Sequence, residues 1–187
     1  MNDPQSSVFT AFVGSSRLAS GSISQVALAV KNALAHHPTG SVLIYDDRSG
    51  RAIDIDTRGS EAEVLARLAA PTPEPLPRGR GRPKLGVVAR EVTLLPRHWA
   101  WLGSQPGGAS VAIRKLVEAA RRTNQEPDQR RERREAAFQF IWGMAGNLAN
   151  FDAANRALFA NDRARFSELI RTWPADVRDH AIALAFG

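Results

Sequence analysis

Aspartates and histidines are the residues of this sequence whose types could bind a metal ion or transfer protons. Asp46, Asp47, Asp54 and Asp56 lie in two neighbouring segments, and carboxylates brought together by a hairpin would suit a hard cation. Their alternation with isoleucines is also typical of the solvated face of a sheet. We expect the second arrangement, with these carboxylates facing water.

The remaining candidates for chemistry are sparse. His36, His37, His98 and His180 show no metal-ligand spacing, and none accompanies a recognisable nucleophile motif. The sequence contains no cysteine, which excludes disulfides, thiolate zinc sites and cysteine nucleophiles. We therefore expect no catalytic residue, no metal site and no cofactor, and a protein that is not an enzyme.

Positive charge is concentrated in the middle of the chain. Residues 78–134 contain 14 Lys and Arg against 5 Asp and Glu, a net charge of +9, whereas the whole chain of 187 residues carries +6. Clustered cations favour a polyanionic partner, most often nucleic acid, because neutralised phosphates release counterions. Ordinary solvated surface charge is the alternative.

The ends and the hydropathy of the sequence bear on its location. No apolar run approaches the ~18 residues of a membrane-spanning helix. The first residues lack the basic and hydrophobic regions of a signal peptide. We expect a cytoplasmic protein with no membrane partner, located at the nucleoid if it binds DNA.

Local patterns predict an α+β protein built from several modules. Residues 8–70 read as a β-α-β-β-α module, with a strand at FTAFVG, a hairpin turning at Arg48-Ser49-Gly50, and a last helix opened by a Ser60/Glu63 capping box. Residues 71–86 are a basic linker rich in proline and glycine, which suit extended, exposed chain. Residues 87–124 predict one strand and two helices, and residues 128–187 a helical C-terminal module.

The linker contains the motif Arg80-Gly81-Arg82-Pro83, flanked by Arg78 and Lys84. This segment resembles an AT-hook, and the resemblance covers about seven residues. It implies that Arg78, Arg80, Gly81, Arg82, Pro83 and Lys84 lie in the minor groove of A·T-rich duplex DNA, where the negative potential of a narrow groove attracts arginine.

The next segment, residues 90–122, resembles a ribbon-helix-helix DNA-binding domain. Leu95-Pro96 matches the junction between the strand and the first helix, and Gly107-Gly108-Ala109-Ser110 matches the entry to the second helix. The resemblance implies a homodimer whose paired strands enter the major groove. A segment of this size with a single strand cannot enclose a core alone, so we expect the dimer to be obligatory.

The base-reading residues depend on the strand register, which stays open. One register turns Arg90, Val92 and Leu94 outward, and the other exposes Glu91 and Thr93. Our candidates for the major groove are Arg90, Glu91 and Thr93, and either register predicts weak direct readout. A phosphate would bind at the start of the second helix, with the candidate residues Gly108, Ala109, Ser110, Arg114 and Lys115. A strand and two helices used only for dimerisation remain the alternative.

Two further groups of residues are compatible with nucleic acid. Arg121-Arg122 and the block Arg130 to Glu135 would bind phosphate or form a solvent-facing helix with local Glu–Arg pairs. The tryptophans and C-terminal phenylalanines could stack on bases, although their helical spacing favours core or subunit contacts.

These features lead to two functional expectations. The first is a homodimeric bacterial DNA-binding protein, a transcription regulator or nucleoid-associated factor that prefers A·T-rich double-stranded DNA. The alternative is a protein-interaction or antitoxin-like adaptor whose unidentified protein partner binds the N- or C-terminal module. The whole chain also resembles an uncharacterised bacterial family of unknown function, and that resemblance implies no activity.

Overall fold

The fold is taken from a computed structural model that describes residues 8–36, 41–69, 88 and 90–187. Four strands form one antiparallel sheet in the order β2-β1-β3-β4. The strands are β1 Phe9–Val13, β2 Ser16–Gly21, β3 Val42–Asp46 and β4 Arg51–Ile53. The helices of the described residues are α1 Ile23–His36, α2 Glu61–Leu68, α3 Pro96–Ser104, α4 Gly108–Ala145, α5 Phe151–Phe159, α6 Arg163–Leu169 and α7 Ala175–Phe186.

The mixed α+β class is confirmed, and residues 8–70 contain one strand more than the sequence predicted there. The first strand, the hairpin and the Ser60/Glu63 cap form where expected. The additional strand is β2, whose sequence SRLASG lacks the alternation of apolar residues that signals a strand. It forms because it pairs with β1 across the short turn at Gly14.

Both faces of the sheet are covered by helices. Ala11 and Ile44 point to one face, where they pack against Val26 and Val30 of α1. The opposite face carries Phe12 and Tyr45, which join a core supplied by the C-terminal helices. Since successive side chains of a strand alternate between faces, β1 contributes to two cores at once. The large buried side chains of the second core include Phe140, Ile141, Leu158, Phe166, Ile170 and Trp173.

Close backbone approach fixes the hairpin against the end of α4. Gly50 has φ +67°, and a Cβ atom built on it would lie 1.7 Å from the carbonyl oxygen of Ala136. Glycine is therefore needed here both for its backbone conformation and for its missing side chain. A second approach occurs at Gly143, where a Cβ atom would lie 2.8 Å from the Tyr45 hydroxyl.

The described residues divide into two compact units, with boundaries at Ala70/Pro71 and Glu126/Pro127. One unit joins the N-terminal sheet to the C-terminal helices. The other contains α3 and residues 108–126 of α4. Residues 8–70 and 128–187 read as separate modules in the sequence, because the aromatic contacts that join them link residues more than 90 positions apart, as between Tyr45 and Phe140.

Helix α4 crosses the predicted boundary between the modules of residues 87–124 and 128–187. The helix runs from Gly108 to Ala145 with Pro127 inside it. The Thr123 side chain donates to the carbonyl of Ala119 at 3.0 Å, and the Asn124 side chain donates to that of Ala120 at 2.9 Å. Both bonds join residues four positions apart, which a helix brings close together.

Candidate nucleic-acid interface

The unit bounded by Pro71 and Glu126, which contains α3 and the first part of α4, is called the central unit. Its described residues are organised around a two-glycine turn between α3 and α4. Pro96 occupies the first turn of α3, where its missing amide costs nothing, as the Leu95-Pro96 motif predicts. Gly107 and Gly108 both have positive φ, +85° and +73°, a conformation that other residues adopt only with strain. The Gly108 amide donates to the carbonyl of Gln105 at 2.9 Å and closes the turn.

Most large apolar side chains of this unit are exposed in the single chain. Among its described residues, only Leu102 and Ala112 are buried. The exposed fraction of these residues ranges from 43% for Trp99 to 73% for Val88. The others are Val92, Leu95, Trp101, Leu116 and Val117. A surface of this kind is typical of an interface with another molecule.

Cations line the same unit. Arg121 and Arg122 both lie 3.5 Å from Glu118, in exposed pairs. Arg114 donates to the carbonyl of Ser110 at 3.1 Å. Among the described residues, no carboxylate pairs with Arg114 or Lys115 at ion-pair distance. These two cations therefore keep charge available for an anion.

The residues predicted to bind phosphate lie at the start of α4. Gly108, Ala109 and Ser110 form the first turn of α4, where backbone amides lack intrahelical acceptors. The Gly108 amide is used by the turn, which leaves those of Ala109 and Ser110. The structure brings Arg114 to the Ser110 carbonyl, whereas Lys115 is exposed one position further along the helix.

The predicted base-reading residues are accessible, but they do not lie in a strand of the single chain. Arg90, Glu91 and Thr93 are exposed, and residues 90–95 have no strand partner among the described residues. A ribbon would need a second chain. The AT-hook-like residues Arg78, Arg80, Gly81, Arg82, Pro83 and Lys84 lie outside the described residues.

The aspartates of the hairpin make separate contacts and do not converge. Asp46 accepts from the Arg48 amide and the Ser49 hydroxyl, at 3.1 and 2.8 Å. Asp56 binds the Arg58 guanidinium at 2.9 Å, and this hydrogen bond is the main cause that holds the pKa of Asp56 far below its usual value. The described residues contain no group of three His, Asp or Glu side chains placed to hold a metal ion.

Asp47 is engaged in a buried polar cluster that sequence reasoning missed. Its Oδ2 accepts from the Thr10 hydroxyl at 2.8 Å, and Thr10 contacts the Ser20 hydroxyl at 3.0 Å. Its Oδ1 lies 3.3 Å from Nε2 of His180, without hydrogen-bond alignment. The His180 ring packs between Phe12 and Phe140, with centroids at 5.5 and 4.7 Å. This cluster ties the sheet to α7.

A cleft of about 670 Å³ lies beside the hairpin in the same unit. Its lining mixes both signs of charge, from Asp46, Arg48, Arg51, Arg131, Glu132 and Glu135. The cleft thus shows no preference for one sign of ligand charge.

Fold and charge together define an α+β protein with a helix-covered antiparallel sheet and a cationic, partly apolar central unit. The chain belongs to a family described as an uncharacterized protein conserved in bacteria, DUF2239, whose model matches residues 8–185. No curated protein and no solved structure matches the chain. No helix of the described residues has the length and apolar character to cross a membrane.

Proposed function

We propose that the protein is a homodimeric bacterial DNA-binding protein, a transcription regulator or nucleoid-associated factor that prefers A·T-rich duplex. The proposal is for a binding protein and not for an enzyme. The observation that carries it is the exposed apolar surface of the central unit, beside Arg114 and Lys115.

A second copy of the chain is the occupant that best accounts for the apolar surface. Residues 90–94 lie outside the helices and strands of the single chain, and α3 and α4 expose Trp99, Trp101 and Leu116. Pairing two such segments would form a ribbon and bury apolar side chains of the helices. This burial favours association by about 25 cal/mol per Å² of apolar area removed from water. The same pairing would place two sets of cations on one assembly.

Duplex DNA is the partner that suits this charge. Phosphates would be neutralised by Arg114, Lys115 and the amides at the start of α4. The segment from Arg78 to Lys84 would lie in an adjacent minor groove and supply the preference for A·T pairs. Arg90, Glu91 and Thr93 would contribute the base contacts of the ribbon.

Fluorescence anisotropy with labelled A·T-rich and G·C-rich duplexes tests the proposal across a salt series. We expect affinity to fall steeply with salt. The double variant Arg80→Ala/Arg82→Ala should lower the slope of log K against log salt by about 4, because each of the two chains of the dimer loses two arginines. The variant should also lose the preference for A·T-rich duplex.

The matched control is Arg58→Ala/Arg165→Ala, which removes two exposed arginines that pair locally with Asp56 and Glu168. This control should keep the salt slope and the A·T preference. Equal binding by the arm variant and the wild type would remove the arm from the mechanism. A stoichiometric protein partner retained after nuclease treatment, with no duplex binding, would favour the adaptor interpretation instead.

A further inference from the structure

Four aromatic rings form a continuous line on the surface of the unit that contains the sheet. Phe138 and Trp142 are one helical turn apart on α4, and their ring centroids lie 5.8 Å apart. Phe159 lies 5.5 Å from Phe138, and Phe151 lies 5.8 Å from Trp142. We call these four residues the aromatic ladder.

The ladder combines anchored and exposed rings. Phe138 and Phe151 are partly buried against the C-terminal core, so their positions are fixed by packing. Trp142 is 64% exposed and Phe159 is 49% exposed. A cavity of about 340 Å³ adjoins Trp142 and Phe151, and its lining contains no charged residue.

Arginines continue the same ridge of α4. Arg130, Arg134, Phe138 and Trp142 follow one another at four-residue spacing, which places them along one ridge of the helix. Arg134 donates to the carbonyl of Phe159 at 3.0 Å, which joins the cationic end of the ridge to the ladder. A second cavity, of about 210 Å³, is lined by Pro127, Arg130, Arg134 and Asn161, with no carboxylate.

We propose that this ridge binds single-stranded nucleic acid, with bases stacked on the exposed rings and phosphates held by Arg130 and Arg134. Proteins that bind single strands without reading their sequence stack the bases on aromatic rings and bind the phosphates with neighbouring cations. This site is separate from the duplex interface proposed above, because it uses neither the arm nor the central unit.

Charge complementarity favours a polyanion over a second copy of the chain at this surface. A two-fold contact of the ridge with itself would bring two arginine-lined cavities together, and neither lining supplies a carboxylate. A phosphate would accept hydrogen bonds from the Arg134 guanidinium, whose contacts at 3.3 and 3.0 Å are to the carbonyls of Arg130 and Phe159. Every nucleobase has a face that can stack on Trp142.

The test is anisotropy of labelled dT20 and rU20 with the full chain. Trp142→Ala should weaken binding roughly tenfold, the effect typical of removing one stacking ring. Trp142→Phe should restore most of the affinity because a stacking face is retained. Leu43→Ala, which shortens an exposed apolar side chain of the same unit outside the ladder, should bind like the wild type.

Duplex binding separates this proposal from the preceding one. Trp142→Ala should leave the affinity for A·T-rich duplex within twofold of the wild type, whatever that affinity is. The two oligonucleotides show whether the ridge distinguishes DNA from RNA. Absence of single-strand binding, or equal binding by Trp142→Ala, would overturn the proposal. A change of sedimentation in Trp142→Ala without an effect on either oligonucleotide would make the ladder a subunit contact and overturn it as well.

Discussion

At the scale of single residues, burial decides what the hairpin aspartates do. Asp54 and Asp56 are exposed, as their alternation with isoleucine predicts. Asp47 instead holds Thr10 and lies beside His180, whose side chain is 6% exposed. Buried polar groups destabilise a fold unless they have hydrogen-bond partners. Asp47 is the acceptor for the buried Thr10 hydroxyl, so we expect its side chain to stabilise the fold.

Replacement of Asp47 by alanine should therefore destabilise the fold. We expect Asp47→Ala to lower the free energy of unfolding by about 2 kcal/mol, because Thr10 loses its acceptor and His180 its polar neighbour. Urea unfolding followed by tryptophan fluorescence at neutral pH measures the change. Asp54→Ala is the control and should stay within about 0.5 kcal/mol of the wild type. Equal stability of the two variants would show that the buried cluster contributes nothing.

At the scale of elements, the capping box of α2 is a local device with a defined response to pH. The Ser60 hydroxyl accepts from the Glu63 amide, and the Glu63 carboxylate accepts from the Ser60 amide at 2.6 Å. The second hydrogen bond is the main cause that lowers the pKa of Glu63, and the Ser60 hydroxyl adds to it. Because the pKa of Glu63 is lower in the folded state, its carboxylate stabilises the fold fully at pH values above its unfolded-state pKa. This stabilisation is lost as the pH falls through the folded-state pKa.

The variant Ser60→Ala should lower stability at pH 7 by about 1 kcal/mol, the usual cost of losing such a cap. The difference from wild type should shrink in acid, below the usual glutamate pKa of 4.5, once Glu63 is protonated in both proteins. Urea titrations followed by circular dichroism at pH 7 and pH 3 measure both differences. Ser60→Thr keeps the hydroxyl and should resemble the wild type. A difference that grows in acid would contradict the role of Glu63.

The elements that the sequence predicts are those with local chemical signals. Gly50 marks the hairpin turn, Ser60 and Glu63 open α2, and Leu95-Pro96 opens α3, because each residue type suits only a few backbone conformations. Local patterns cannot show partners far apart in sequence. The second strand was missed for this reason, as was the core that packs the sheet against the C-terminal helices.

The candidate sites follow the same division. The residues proposed to bind phosphate, at the start of α4, could be placed from the Gly107-Gly108 turn alone. The aromatic ladder could not, since Phe151 and Phe159 reach α4 only through the packing of α5. The four-residue spacing of Arg130, Arg134, Phe138 and Trp142 was the available signal, and it resembles an ordinary amphipathic pattern.

At the scale of the whole molecule, association should control duplex binding if the central unit is a dimer interface. Leu116 is 51% exposed, and the proposed pairing would bury it. We expect Leu116→Asp to sediment at the 20.4 kDa of one chain, because a buried, unpaired carboxylate opposes association. Its affinity for A·T-rich duplex should fall by about 100-fold, since two linked sites bind far more tightly than one. Val8→Asp, at an exposed position outside the central unit, should remain dimeric and bind like the wild type. A wild-type chain that sediments as a monomer while it binds duplex at full affinity would refute the ribbon, and the arm and α4 would then have to act from a single chain.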